Sequence, residues 1–271
     1  MKSWLCIFAS LLLPLGLNAA EDTPYTGKLF VGISYRYDFS FEKYWWIEWL
    51  PTRISKETLL TGSYWQVESN QGVILVTAAH VLGINWEAKE VDLGLEWEGQ
   101  GVKHVVGKQR PYETILQRSF SRVLIGTLAY APLDIGTLKG TSDMAFLRPK
   151  NPQVLKDVQM LRLSDTPPRR DERVEICGYP GTGYEQREAA IVTTVREADG
   201  FFVLNRPVEP GYSGGVVTNS EGKAYGVITS TDKAEKQTTV LRLTPAMLGR
   251  IEWKPAAEAL DRDLRKKVEV K

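Results

Sequence analysis

Between Leu29 and Leu243 the chain returns again and again to one pattern, a short run of β-branched and aromatic residues followed by a turn. Leu29–Ile33, Gly72–Thr77, Arg173–Ile176, Ala190–Val195, Phe201–Leu204, Gly226–Thr229 and Thr238–Leu243 are such runs, with Gly, Asn, Asp or Pro commonly between them. Runs of this length favour extended backbone because branched side chains pack well on a pleated surface. Asn219-Ser220-Glu221-Gly222 and Ala198-Asp199-Gly200 read as hairpin turns, since Asn and Gly tolerate the positive φ that tight turns need. Many short strands at this spacing predict an all-β barrel or sandwich, and they disfavour the alternating strand–helix units of an α/β sheet.

The 271 residues are 43% hydrophobic and 25% charged, which is enough apolar material for a packed core. The 34 basic and 33 acidic side chains nearly cancel, leaving a formal charge of +1, so no overall field attracts nucleic acid or anionic lipid. Lys2, the apolar stretch Trp4–Leu17 and the small residues Ala19-Ala20 before Glu21-Asp22 predict a secretory signal peptide over 1–20. The apolar run is shorter than the ~20 residues that span a bilayer, and Pro14 interrupts it, so no stable membrane span is expected after cleavage. A secreted or periplasmic chain follows. Cleavage there removes Cys6 and leaves Cys177 as a lone thiol in the apolar stretch Val174–Cys177, where a buried, inert cysteine is expected.

No repeat or low-complexity linker divides the chain, so one folded unit over 25–253 is predicted, followed by a tail over 254–271. Pro255 at its start, the helix formers that follow and the late cations make that tail a short C-terminal helix. Tyr44–Leu50, rich in tryptophan, reads as core packing of an insertion, with a hydrophobic flap as the sharper alternative.

Three segments carry chemistry. In Glu209-Pro210-Gly211-Tyr212-Ser213-Gly214-Gly215, glycines on both sides of Ser213 free the backbone around one hydroxyl, so that amides of Gly211 and Ser213 can point at a developing oxyanion; taken alone, the motif reads equally as a glycine-rich hairpin with an idle serine. In Thr77-Ala78-Ala79-His80 a strand runs through small residues to one of only two histidines; the other, His104 in Lys103-His104-Val105, has no comparable context and reads as a surface strand residue. In Ser142-Asp143-Met144-Ala145-Phe146-Leu147 an acid opens an apolar run and is suited to hold an imidazole; Asp134 in Leu133-Asp134-Ile135-Gly136 is the rival. Two histidines and one mature cysteine show no metal-ligand spacing, and this chemistry needs no cofactor.

In that order, Thr77–His80, Ser142–Leu147 and Gly211–Gly215 resemble the three catalytic motifs of the trypsin-like serine protease superfamily. The resemblance implies two six-stranded antiparallel β-barrels with a cleft between them, His80 and Asp143 coming from the first and Ser213 from the second. It implies a serine endopeptidase acting on polypeptides through an acyl-enzyme. Gly178-Tyr179-Pro180-Gly181 is similar to turns of bacterial trypsin-like and high-temperature-requirement-type proteases. Digestive-type relatives carry Asp before the nucleophile to receive a processed N-terminal ammonium; Tyr212 stands there and cannot form that ion pair. Thr229, Ser230 and Thr231, with Pro207 and Val208, are expected beside the primary substrate pocket, and none brings a fixed charge, which favours a small or aliphatic side chain before the scissile bond. The alternatives are a catalytically silent module of the same fold that binds polypeptides in a chaperone-like way, and an esterase, whose usual Ser-Asp-His order this chain does not follow.

Overall fold

A computed structural model of the chain describes residues 23–40, 53–83, 95–99, 102–106, 113–125, 128–130, 133–140, 143–150, 158–181 and 184–256. The expected signal peptide, the segment Tyr44–Leu50 and all of the C-terminal tail past Ala256 lie outside the described residues.

The first half of the chain forms strands β1 (Thr26–Ser40), β2 (Arg53–Ser69), β3 (Gly72–Thr77), β4 (Leu95–Gly99), β5 (Val102–Val106), β6 (Glu113–Ile125), β7 (Leu128–Tyr130), β8 (Leu133–Thr137) and β9 (Ala145–Pro149). The second half adds β10 (Met160–Leu161), β11 (Arg173–Gly178), β12 (Gln186–Arg196), β13 (Phe201–Leu204), β14 (Val216–Thr218), β15 (Ala224–Asp232), β16 (Gln237–Arg242), a short helix α1 (Pro245–Leu248) and β17 (Glu252–Pro255). None of the described helices is long and apolar enough to cross a membrane.

Strands β11 to β16 close into a six-stranded antiparallel barrel in the order β11-β12-β13-β16-β15-β14. Its interior follows from period-2 alternation: Val174 and Ile176, Ala190 and Val192, Phe202 and Leu204, and Val240 all point inward and pack as one cluster with Tyr212, Tyr225 and Ile228. The Asn219–Gly222 turn joins β14 to β15, with the Gly222 amide on the Asn219 carbonyl, and Gly200 turns β12 into β13 at a φ of 70°. Both match the hairpins that the turn residues predict.

The resemblance places the other six-stranded barrel in the first half, and the described strands there do not include a second closed barrel. Among the described residues the first half is an open nine-stranded sheet, in the order β17-β8-β9-β3-β2-β1-β6-β7, with β10 added beside β2 and a separate ribbon of β4 and β5. Trp65, Ile74, Leu75, Phe146 and Leu147 form its core, which runs without a break into Cys177, Val216 and Val227 of the barrel. Lys254 and Pro255, expected in the helical tail, belong to β17, because β8 offers them an edge: Lys254 pairs with Ile135 and Pro255 with Asp134.

Candidate active site

The end of β3 sets the first group. Thr77 leads through the buried Ala78 into a single 3-10 turn, Ala79–Leu82, closed by Gly83 in the left-handed region. Small residues at 78 and 79 let this turn lie against the segment that opens β9, and three hydrogen bonds tie the two together. The Ala79 amide donates to the Asp143 carbonyl at 3.3 Å, the His80 amide donates to Asp143 Oδ1 at 2.8 Å, and His80 Nδ1 lies 2.8 Å from Asp143 Oδ2. An ionised carboxylate can only accept, so Nδ1 carries the hydrogen and Nε2 keeps its lone pair. The His80 side chain is 43% exposed and that of Asp143 24%, which puts the acid on the protein side and the base toward solvent. Asp134, the rival, pairs with Arg148 Nη2 at 2.9 Å. His104 lies on β5, opposite Trp97 of β4.

Ser213 sits in the loop between β13 and β14, and most of that loop's amides are engaged. Tyr212 donates to the Glu209 carbonyl at 3.3 Å, Gly214 to Ile228 at 2.8 Å and Gly215 to Tyr212 at 2.7 Å. Neither the Gly211 nor the Ser213 amide has a protein acceptor among the described residues. The loop needs two of its glycines for different reasons. Gly211 holds a φ of 106°, and Gly214 combines a φ of 84° with a position where a Cβ would fall 2.2 Å from the Ser63 carbonyl oxygen and 2.4 Å from Thr77 Oγ1. Gly214 thus presses the loop onto the strand end that carries His80. No hydrogen bond joins the Ser213 hydroxyl to His80 among the described residues.

Ser63 is the group that reading the sequence missed. Fully buried on β2, it donates its amide to the Ser213 carbonyl at 2.8 Å and its hydroxyl to the Gly211 carbonyl at 2.7 Å. The same hydroxyl accepts from the Tyr179 amide at 2.8 Å, and the Ser63 carbonyl accepts from Thr77 Oγ1 at 2.8 Å. One residue therefore touches the serine loop, the Gly178–Gly181 turn and the strand leading to His80. No local sequence signal marks it, because its role comes from the segments that the fold brings around it.

Thr229–Thr231 lie on β15 directly after Ile228, whose carbonyl receives the Gly214 amide. A register shift between Ile228 and Ser230 leaves Thr229 as the extra residue of a bulge. Thr231 Oγ1 accepts from the Val208 amide at 3.4 Å and meets Thr238 Oγ1 at 3.3 Å, while Thr238 donates to the Arg206 carbonyl at 2.6 Å. Among the described residues, the side-chain hydrogen bonds of Thr231 and Thr238 are to hydroxyl and backbone groups.

A closed barrel joined to a sheet, with an imidazole–carboxylate pair at the end of β3 and a glycine-flanked serine in the loop before β14, suits a serine endopeptidase. The family described as trypsin-like peptidase domain matches residues 61–227, well over half of the chain, and the chain belongs to that family. No curated protein matches the sequence. Among solved structures it is similar to the Rv3671c protease from M. tuberculosis in its active form, at 16% identity over 87% of this chain and 84% of that one, with a TM-score of 0.48. It is similar also to the HtrA-type protease AlgW with decapeptide, at 16% identity over 84% of this chain and 63% of that one, with a TM-score of 0.43. For the serine endoprotease from Yersinia pestis the figures are 15% identity, 78% and 58% coverage, and a TM-score of 0.40.

Proposed function

We propose that the chain hydrolyses peptide bonds with Ser213 as nucleophile, His80 as general base and acid, and Asp143 as the group that orients His80. The observation that carries this reading is the pair of bonds from Asp143 to His80, one to the amide and one to Nδ1, each 2.8 Å long. They fix the turn and the tautomer together, so that Nε2 is left to take the Ser213 proton. Attack on the carbonyl gives a tetrahedral oxyanion, for which the Gly211 and Ser213 amides serve as donors. His80 then returns the proton to the leaving amine, and water repeats the sequence on the acyl-enzyme.

The neutral threonine flank supports a small or aliphatic residue before the scissile bond, since no charge is there to balance Lys or Arg. We further place an export signal at 1–20, a catalytic unit at 25–253 and a tail at 254–271, with the mature enzyme in the periplasm or outside the cell. The family's second six-stranded barrel belongs, in this reading, to the part of the chain before Lys150.

The test is digestion of casein and of a mixed peptide library by the chain from Glu21 onward, beside Ser213→Ala, with the cut sites mapped by mass spectrometry. Turnover lost in the variant, with cuts after small residues, supports the reading. A folded wild type that cleaves nothing and resists serine-reactive phosphonates points instead to a polypeptide-binding module.

A further inference from the structure

Tyr212 stands between the two amides assigned to the oxyanion, and its own side chain points away from them into the barrel. The residue is fully buried. Its ring lies against the backbone of Gly178, where a Cβ would come within 2.6 Å of it. Its hydroxyl donates to Glu188 Oε1 at 2.6 Å, and Arg206 pairs with the other oxygen of that carboxylate. Both backbone groups of Tyr212 are also engaged, the amide by Glu209 and the carbonyl by Gly215. Burial first and the Glu188 bond second push the phenol's pKa up, so the hydroxyl stays a donor throughout the working range.

We propose that Tyr212 is a positioning residue, anchored through Glu188 and Arg206, that keeps the Gly211 and Ser213 amides aimed at one point. The proposal rests on the catalytic reading above and adds how the site is held ready. Ser63 clamps the loop from the sheet side through the Gly211 carbonyl, and the Tyr212–Glu188–Arg206 chain clamps it from the barrel side. With both clamps made by residues inside the folded unit, the donor pair is set without an ammonium from a processed N-terminus. A phenol bonded to a paired carboxylate does here what a buried ion pair could do, at lower desolvation cost for the loop.

Tyr212→Phe removes the hydroxyl and keeps the ring, and Glu188→Leu removes the acceptor from a side chain that is 23% exposed, where folding is least at risk. Each is compared with wild type and Ser213→Ala by kcat and KM on a peptide amide and by affinity for a peptide boronate. The expected result is a kcat about 10- to 100-fold lower with KM within about two-fold, and boronate affinity falling by the same factor as kcat/KM. The double variant is expected to be no worse than Tyr212→Phe alone, because the two act as one unit. Unchanged kcat in Tyr212→Phe or in Glu188→Leu overturns the proposal, as does a loss confined to KM or to the melting temperature. Full activity in Ser213→Ala overturns the catalytic reading itself, and the proposal with it.

Discussion

The amide of Ser63 donates to the carbonyl of Ser213 at 2.8 Å, so a strand of the first sheet holds the backbone of the proposed nucleophile in the barrel. The two halves of the chain meet at that bond, and the Ser63 hydroxyl adds two more contacts around it.

Ser63→Ala is expected to lower stability by about 2–4 kcal/mol, because the Gly211 carbonyl and the Tyr179 amide each lose their partner in a partly buried place. Its kcat should fall about 10-fold through loosened donor geometry. Denaturant unfolding and steady-state kinetics on the same preparation check both numbers.

Asp143→Asn presents an amide to His80 Nδ1 and to the His80 amide, and it favours the tautomer that places the hydrogen on Nε2. A loss of about 10⁴ in kcat with little change in melting temperature is expected. Asp134→Asn, which weakens the pair with Arg148, should leave kcat within about two-fold.

Two glycines at positive φ offer a controlled comparison. Gly72 has φ 96° with open space where a side chain would go, so Gly72→Ala should cost about 1 kcal/mol and leave activity intact. Gly214→Ala adds a collision with the Ser63 carbonyl, and activity should be lost together with about 3 kcal/mol or more of stability. Equal behaviour of the two variants in thermal melts and peptide hydrolysis would contradict the close approach of the loop to β2.

Cys177 is fully buried, and burial, reinforced by Glu185 and Glu175, pushes its thiol well above the ordinary value of about 9. A thiol protonated in the folded chain but ionised in the unfolded one stabilises fully below the unfolded pKa, and that contribution is lost as pH rises beyond it. Unfolding free energy should therefore fall by up to about 1.4 kcal/mol per pH unit above about pH 9, before the tyrosines enter. Cys177→Ala should flatten that slope in urea titrations at pH 8.5–9.5. Native protein should resist alkylation at neutral pH, reacting only as fast as it unfolds.

Thr231→Gly removes the hydroxyl that meets both the Val208 amide and Thr238. Cleavage after larger aliphatic residues should rise relative to cleavage after alanine, by about 10-fold for each accommodated methylene pair. Cut-site mapping on a peptide library gives the ratio directly.

The barrel was legible because five of its six strands carry local β-rich runs, beginning at Arg173, Ala190, Phe201, Gly226 and Thr238, while the short, wholly buried β14 shows no such run. The first sheet was less so, since only Leu29–Ile33 and Gly72–Thr77 announced themselves there and the long partners β2 and β6 carry many polar residues. Their extended state comes from pairing with β1, a long-range contact that no local window contains. His80, Asp143 and the serine loop could be picked out because their chemistry is written in short motifs. Ser63, Glu188 and Arg206 could not, because each matters only through what the fold brings beside it.

Strand β17 follows the barrel strands and α1 in the chain and completes the edge of β8, where Trp253 also donates from its indole to Gln71 at 2.6 Å. A chain emerging from the ribosome presents His80 and Asp143 first, Ser213 much later, and this fastening strand after all three. The first sheet thus waits for the end of the described chain before its border is sealed. A chain ending before Glu252 would leave β8 as an unpaired border, open to pairing with the edge of another copy.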